Sequence, residues 1–158
     1  MTKNEIIQYV KDHPSRRVKI AFTDIDGILR GKYISTEKFL SVIESGMGFC
    51  DVIFGWDAGD VSYDNAQYTG WHTGYPDAPA RIDITTFRKI PWEAEVPFFL
   101  GELIDKDGNP AYVCPRQLLK KVLNEAQQQG YTPYFSQEFE WFNFTETPQT
   151  ACDKQFKN

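Results

Sequence analysis

Glu138 and Glu140 stand two positions apart near the C-terminal end of the chain, inside the aromatic run 135–144. In a strand, alternate side chains share a face, so this spacing predicts two carboxylates side by side, with Phe139 and Trp141 pointing the other way. Two such carboxylates beside aromatic rings would repel each other and lose hydration. A cation between them removes both costs, and carboxylate oxygen suits Mg²⁺ or Mn²⁺. The run therefore predicts a metal site, with the solvated face of an edge strand as the alternative.

The composition limits the classes of function. The chain has 158 residues, 41% of them hydrophobic and 15% aromatic, which is enough for a packed core. A net charge of -5 argues against nucleic acid or an anionic membrane surface as the main partner. Three distant cysteines, Cys50, Cys114 and Cys152, lack metal-ligand spacing and are predicted to be free thiols. Without a leader-like start or a long apolar run, a soluble cytoplasmic protein is expected.

Local signals predict the elements that position these groups. A capping box at Thr2 and Glu5 predicts a short N-terminal helix that ends before Pro14. The alternating segment 17–23 and its return over 28–34 flank turn residues, which predicts a hairpin. A second helix is predicted over 36–45, capped by Ser35 or Thr36 and ending at Gly46. Further strands are predicted over 49–56, 82–90 and 96–104.

The rest of the chain divides into a loop, a helix and the aromatic run. Residues 61–80 are rich in Gly, Pro, Tyr and Asp and predict a long surface loop. Pro115 opens a helix up to Gly130, and its apolar stripe is predicted to be buried: Leu118, Leu119, Val122, Leu123 and Ala126.

The order of elements predicts an α+β fold. A β-grasp-like mixed sheet with a packed helix over 16–112 follows an N-terminal helix over 1–15. Residues 113–158 are expected to be the truncated start of an α/β catalytic domain, because one helix and one strand do not make a domain.

An acidic turn offers a different chemistry. Asp24-Ile25-Asp26-Gly27, after an apolar strand, resembles the first motif of haloacid dehalogenase-type phosphatases, in which the first Asp is the nucleophile and the second the general acid and base. That fold needs parallel-strand units between its motifs, whereas here the pattern predicts a hairpin. Two turn-forming aspartates before a glycine are the simpler interpretation.

Four segments, in order, resemble the glutamine synthetase family from about Val18 onward. Residues 22–32, Phe-Thr-Asp-Ile-Asp-Gly-Ile-Leu-Arg-Gly-Lys, resemble the first hairpin of that family's N-terminal β-grasp domain. Residues 82–92 resemble the segment that links its middle strands, and 115–119 the start of the helix entering the catalytic domain. Residues 138–142, Glu-Phe-Glu-Trp-Phe, fall where the family places its first two metal-binding glutamates.

The resemblance implies specific roles. Glu138 and Glu140 would each ligate a divalent ion, Mg²⁺ or Mn²⁺, with ATP as co-substrate. Asp57 resembles the acid that reaches into a neighbouring subunit's site and helps to bind and deprotonate ammonium, with Asp51 as the competing choice. The full-length protein would bind glutamate, ATP and ammonium or another amine. It would assemble into a homo-oligomeric ring, which is a dodecamer by resemblance. The residues that bind ATP and glutamate would lie beyond residue 158.

The implied function is ATP-dependent amidation of the glutamate γ-carboxylate by ammonia through a γ-glutamyl phosphate, with the 158-residue chain inactive alone. Three alternatives stay open. They are a γ-glutamyl-amine (polyamine) ligase of the same family, the phosphatase that uses Asp24 and Asp26, and a non-catalytic β-grasp interaction module.

Overall fold

The computed structural model describes residues 1–157. It contains four α-helices and five strands in that range. Along the chain they are α1 (Lys3–Asp12), β1 (Arg17–Thr23), β2 (Leu29–Ser35), α2 (Thr36–Ser45), β3 (Met47–Cys50), β4 (Asp77–Ile90), β5 (Val96–Leu103), α3 (Pro115–Gln128) and α4 (Pro148–Asp153). Within it, no helix is both long and apolar enough to cross a membrane.

Both N-terminal helices begin and end at the residues that the sequence predicts. Thr2 and Glu5 form a reciprocal capping box at the start of α1. The Ser35 hydroxyl accepts a hydrogen bond from the Lys38 amide, 3.1 Å away, at the start of α2. Gly46 ends α2 with a φ of 78°, which a residue with a Cβ rarely adopts.

The five strands form one mixed sheet in the order β2-β1-β5-β4-β3. The predicted hairpin is confirmed, since β1 and β2 pair antiparallel from Arg17–Ser35 to Thr23–Leu29. At the centre, β1 pairs parallel with β5, with Lys19 opposite Phe98. The pairs β4–β5 and β3–β4 are antiparallel. A mixed sheet with few helices confirms the predicted α+β, β-grasp-like class.

The core lies between the sheet and helices α1 and α2. Phe99, fully buried in β5, stacks on Phe39 of α2 with ring centroids 4.8 Å apart. Phe22 lies against Phe49, at 4.1 Å. Gly101 is required beside it, because a Cβ there would come within 2.2 Å of the Phe22 ring. Alternation along β5 turns Phe98, Leu100 and Glu102 to the other face of the sheet.

Two strand predictions are wrong. After the four-residue β3, the chain forms a turn of 3₁₀ helix over Asp51–Phe54 instead of continuing as a strand to residue 56. Residues 131–144, which include the expected strand over 135–144, form no strand in the described chain. Their rings are largely exposed: Tyr131, Tyr134, Phe135, Phe139, Trp141, Phe142 and Phe144. A strand needs a neighbour for its backbone hydrogen bonds, and residues 1–157 supply none here.

Helix α3 forms as predicted, but its apolar stripe is not buried as predicted. Leu118, Leu119 and Val122 are each more than half exposed, and Leu123 and Ala126 are half-buried. The buried side chain of α3 is the polar Gln117. The amphipathic pattern is present, therefore, but no element of residues 1–157 covers its apolar face.

Candidate functional site

Asp57 lies in a tight loop over residues 56–62, which the bridge between Trp56 and Ser62 closes. Its Oδ1 accepts hydrogen bonds from the amides of Gly59, at 2.8 Å, and Val61, at 3.0 Å. No hydrogen bond within residues 1–157 reaches Oδ2. The half-buried side chain is therefore fixed by one oxygen and has the other oxygen available as an acceptor.

The Asp24 carboxylate is a structural group of the β1–β2 turn. It is fully buried; its Oδ1 accepts from the amides of Asp26, at 3.0 Å, and Ile28, at 2.8 Å, and its Oδ2 accepts from Arg30 Nε at 2.8 Å. A phosphoryl-accepting nucleophile needs an accessible oxygen, and both oxygens here are already bonded. The geometry therefore does not favour the phosphatase alternative, and the simpler turn interpretation fits.

Asp51 occupies a different environment from Asp57. It is buried at the start of the 3₁₀ turn, where its carboxylate accepts a hydrogen bond from the Thr69 hydroxyl. Burial raises the pKa of Asp51, the Thr69 hydrogen bond opposes that rise, and the charge of Asp77 adds to it. Asp51 therefore anchors the loop over 61–76 to the core, and Asp57 is the better placed of the two for an external cation.

Glu138 and Glu140 lie in the exposed, strand-free segment and make no ion pair or hydrogen bond with other described residues. Nearby, Phe142 and Phe144 have ring centroids 6.4 Å apart, as expected for alternate residues of an extended chain. Within residues 1–157, no group of three or more His, Cys, Asp or Glu could hold a metal ion. The two carboxylates suit Mg²⁺ or Mn²⁺ by their chemistry, and the described chain would supply only part of such a site.

Asp57 and the two glutamates do not form a common metal-binding group, because residues 1–157 contain no such cluster of three His, Cys, Asp or Glu side chains. A second polar cluster, which the sequence reasoning missed, attaches α3 to the sheet. Glu102, with a side chain 2% exposed, accepts from Arg116 Nε at 3.0 Å and also binds Lys120. Both cations bind Asp83 Oδ2 as well, at 2.7 and 2.9 Å. A glutamate within the apolar strand 96–103 was the available signal, because a buried charge needs partners.

The ion pairs of the Asp83 carboxylate attach α3 to the sheet, so we predict that low pH weakens this attachment. Burial acts to raise the pKa of Asp83, but hydrogen bonds from Lys120, Thr85 and Arg116 outweigh it, and the pKa lies well below its ordinary value. The resulting stabilisation is complete above about pH 4 and is lost as the pH falls toward the folded-state pKa. We expect the hydrogen-exchange protection factors of α3 amides to fall about fivefold from pH 7 to pH 3.

The variant Asp83→Asn tests the cause of this acid sensitivity. It should lower the α3 protection factors at pH 7 and remove most of their further fall at pH 3. Asp107→Asn, at an exposed turn residue, is the matched control and should behave like the unmodified chain. An unchanged pH dependence in Asp83→Asn would assign the effect to another group.

The architecture matches solved structures of much longer proteins. A cryo-EM structure of glutamine synthetase from Plasmodium falciparum superposes with a TM-score of 0.58 at 19% identity, covering 82% of this chain and 23% of that one. A GmaS–ADP complex also gives 0.58, at 22% identity, covering 78% and 26%. At these identities the likeness shows a shared fold, that of a region of glutamine synthetase-type proteins.

Sequence similarity to curated proteins shows the family. Type-1 glutamine synthetase 2 of Dictyostelium discoideum is 50% identical over 153 residues, which are 97% of this chain and 29% of that protein. A glutamate–isopropylamine ligase of a Pseudomonas species is 30% identical over 98% of this chain and 34% of its own length. No family model matches the chain. Over the length that aligns, the chain belongs to the glutamine synthetase family, and it spans about a third of these relatives.

Proposed function

We propose that this chain is the N-terminal part of an ATP-dependent ligase that joins an amine to the γ-carboxylate of glutamate. The observation that carries the proposal is its family membership along nearly the whole chain, at 50% identity to a glutamine synthetase. In this proposal residues 1–15 and 16–112 form the N-terminal helix and the β-grasp domain, and 113–158 begin the catalytic domain. The exposed apolar face of α3 supports that boundary, because such a face needs a covering element.

The proposed reaction passes through an acyl phosphate. The γ-phosphoryl group of ATP moves to a γ-carboxylate oxygen of glutamate, which releases ADP. The nitrogen of the amine then attacks the acyl carbon, the amide bond forms, and phosphate leaves. Glu138 and Glu140 would hold divalent ions, and those ions would offset the negative charges that meet in the first step.

Asp57 would act in the second step. Its free Oδ2 can hold an ammonium ion and accept the proton that the nitrogen must lose before it attacks. The contacts of Oδ1 fix the direction of the carboxylate. Because Asp57 and the two glutamates form no common metal-binding group within the described chain, we infer that they meet between subunits of a homo-oligomeric ring, a dodecamer by family resemblance.

The amine substrate has two candidates. Ammonium is the first, in agreement with the glutamine synthetase relative. Another amine is the second, because relatives at 30% and 32% identity are an isopropylamine ligase and a γ-glutamylethanolamide synthetase. An assay of the full-length protein with ATP, glutamate and either ammonium, isopropylamine, ethanolamine or putrescine decides between them by amine-dependent phosphate release. No release with any amine would contradict the ligase proposal, and activity of the 158-residue chain alone would contradict the proposed domain division.

Asp57→Asn tests the proposed acid in the full-length enzyme. We expect kcat/KM for the amine to fall about 100-fold, since the amide can neither hold a cation as well nor accept its proton, with the KM for glutamate little changed. Asp51→Asn should leave the amine KM unchanged and lower the melting temperature, because its carboxylate is buried against Thr69. Asp64→Asn, at an exposed loop residue, is the control. The reverse pattern would transfer the role to Asp51.

A further inference from the structure

Arg30 of β2 joins two segments that are distant in sequence. Its Nε donates to Asp24 Oδ2 at 2.8 Å, its Nη1 to Asp60 Oδ1, and its Nη2 to the backbone carbonyl of Asp57 at 3.1 Å. The guanidinium carbon also lies 5.4 Å from the centre of the Trp56 ring. The side chain is 18% exposed, so these contacts are partly shielded from solvent. One cation thus connects the β1–β2 turn to the loop that carries Asp57.

This connection helps to position the loop over 56–62. Its internal contacts are the Trp56–Ser62 bridge and the two amides on Asp57 Oδ1, which set its shape. Where it meets the rest of the chain, the amide of Tyr63 donates to the Gly55 carbonyl at its base. Every side-chain hydrogen bond to residues 56–62 from outside the loop, within the described chain, comes from Arg30. Trp56 packs the base of the loop against the hydrophobic core, and the Arg30 guanidinium is the polar contact that orients the exposed tip.

The Asp57 carboxylate stays unpaired, although Arg30 lies beside its backbone. Arg30 neutralises Asp24, which is buried, and Asp60, which is exposed on the loop. It contacts Asp57 only through the backbone carbonyl and leaves the carboxylate free. A cation that approaches the loop would therefore meet two unpaired carboxylates, those of Asp57 and the exposed Asp26, both of which lie near Tyr63.

We propose that Arg30 is a positioning residue for the amination step, which fixes the backbone of Asp57 and so aims its Oδ2 at the amine. The inference rests on the proposed role of Asp57. A guanidinium suits this task because its planar group reaches three acceptors at once, whereas an ammonium group is a single point of charge. The distance between Oδ2 and the amine nitrogen is then set by a residue that touches neither substrate.

Arg30→Lys in the full-length enzyme tests the proposal, since it keeps a cation near Asp24 and removes the planar fork. We expect the KM for the amine to rise about tenfold, while kcat and the KM for glutamate change by less than twofold. Asp60→Asn should raise the amine KM about threefold. In the Asp57→Asn background, Arg30→Lys should add no further change, because the group that it positions is gone. Arg17→Lys, at an exposed cation over the Tyr33 ring, is the matched control.

The outcomes separate this inference from the proposed function. If the full-length protein is inactive, or if Asp57→Asn leaves its KM for the amine unchanged, the proposed role of Asp57 is overturned and this inference with it. A large effect of Asp57→Asn with a normal amine KM in Arg30→Lys overturns the inference alone. Equal losses for both substrates with a lower melting temperature would show that Arg30 is only structural. If Arg30→Lys does not fold, Asp60→Asn decides, because its side chain is 59% exposed.

Discussion

Replacing Glu138 or Glu140 with Gln in the full-length protein is expected to lower the rate of ATP-dependent amide formation by at least about 100-fold. Mutation of residues that only support the metal ligands already lowers metal affinity or activity by about 10- to 100-fold. The amide keeps the size of the side chain and loses the charge that would hold a divalent cation. Binding of Mn²⁺, measured by titration calorimetry on the full-length protein, should weaken by a similar factor. This second readout separates loss of the metal from loss of a later step.

The control for these variants is Glu125→Gln, on the exposed surface of α3. It removes the same charge from the same polypeptide and should leave both activity and Mn²⁺ affinity unchanged. Normal Mn²⁺ affinity in both Glu138→Gln and Glu140→Gln would contradict the metal role of the pair. It would favour the alternative of a solvated acidic face.

Phe99→Ala is expected to destabilise the β-grasp domain by about 3–5 kcal/mol, the range for removal of a buried aromatic side chain. Phe99 is fully buried and stacks on Phe39, so its loss leaves a cavity between β5 and α2. Urea denaturation of residues 1–158, followed by circular dichroism, gives the free energy of unfolding.

The adjacent Phe98→Ala is the matched control. It removes the same ring from the same strand, but on the other face of the sheet, where the ring is half-buried. We expect it to cost less than half as much. An equal loss of unfolding free energy in the two variants would show that the core does not lie on the α2 side of β5.

The features that the sequence predicts well depend on near neighbours. The capping box at Thr2, the cap at Ser35 and the β1–β2 hairpin involve residues a few positions apart, and each forms as predicted. The parallel pairing of β1 with β5 could not be read from such signals, because it joins distant strands. The same limit explains the wrong strand over 135–144, which has the pattern but no neighbour among residues 1–157.

The candidate site divides in the same way. The alternation of Glu138 and Glu140 is visible in the sequence, whereas the anchoring of Asp57 requires Arg30, which lies far from it in the chain. The residues next to Asp24 in the sequence resemble a phosphatase motif, which predicts a nucleophile. In the structure Asp24 is buried and accepts three hydrogen bonds, as expected for a structural residue of the turn. The apolar stripe of α3 forms on one face of the helix as predicted, but the prediction that it is buried is wrong. Burial depends on an element that packs against that face, which the helix sequence does not specify.

The parallel central pair has a consequence for synthesis on the ribosome. Lys19 and Phe98 pair across about 80 positions, a closure that no local hairpin can replace. A nascent chain that ends before β5 contains the residues of α1, α2 and the β1–β2 hairpin, but it lacks the strand that covers one edge of β1 and the ring on which Phe39 stacks. Chaperone capture of stalled nascent chains should accordingly be strongest until β5 has left the exit tunnel, and should then fall abruptly.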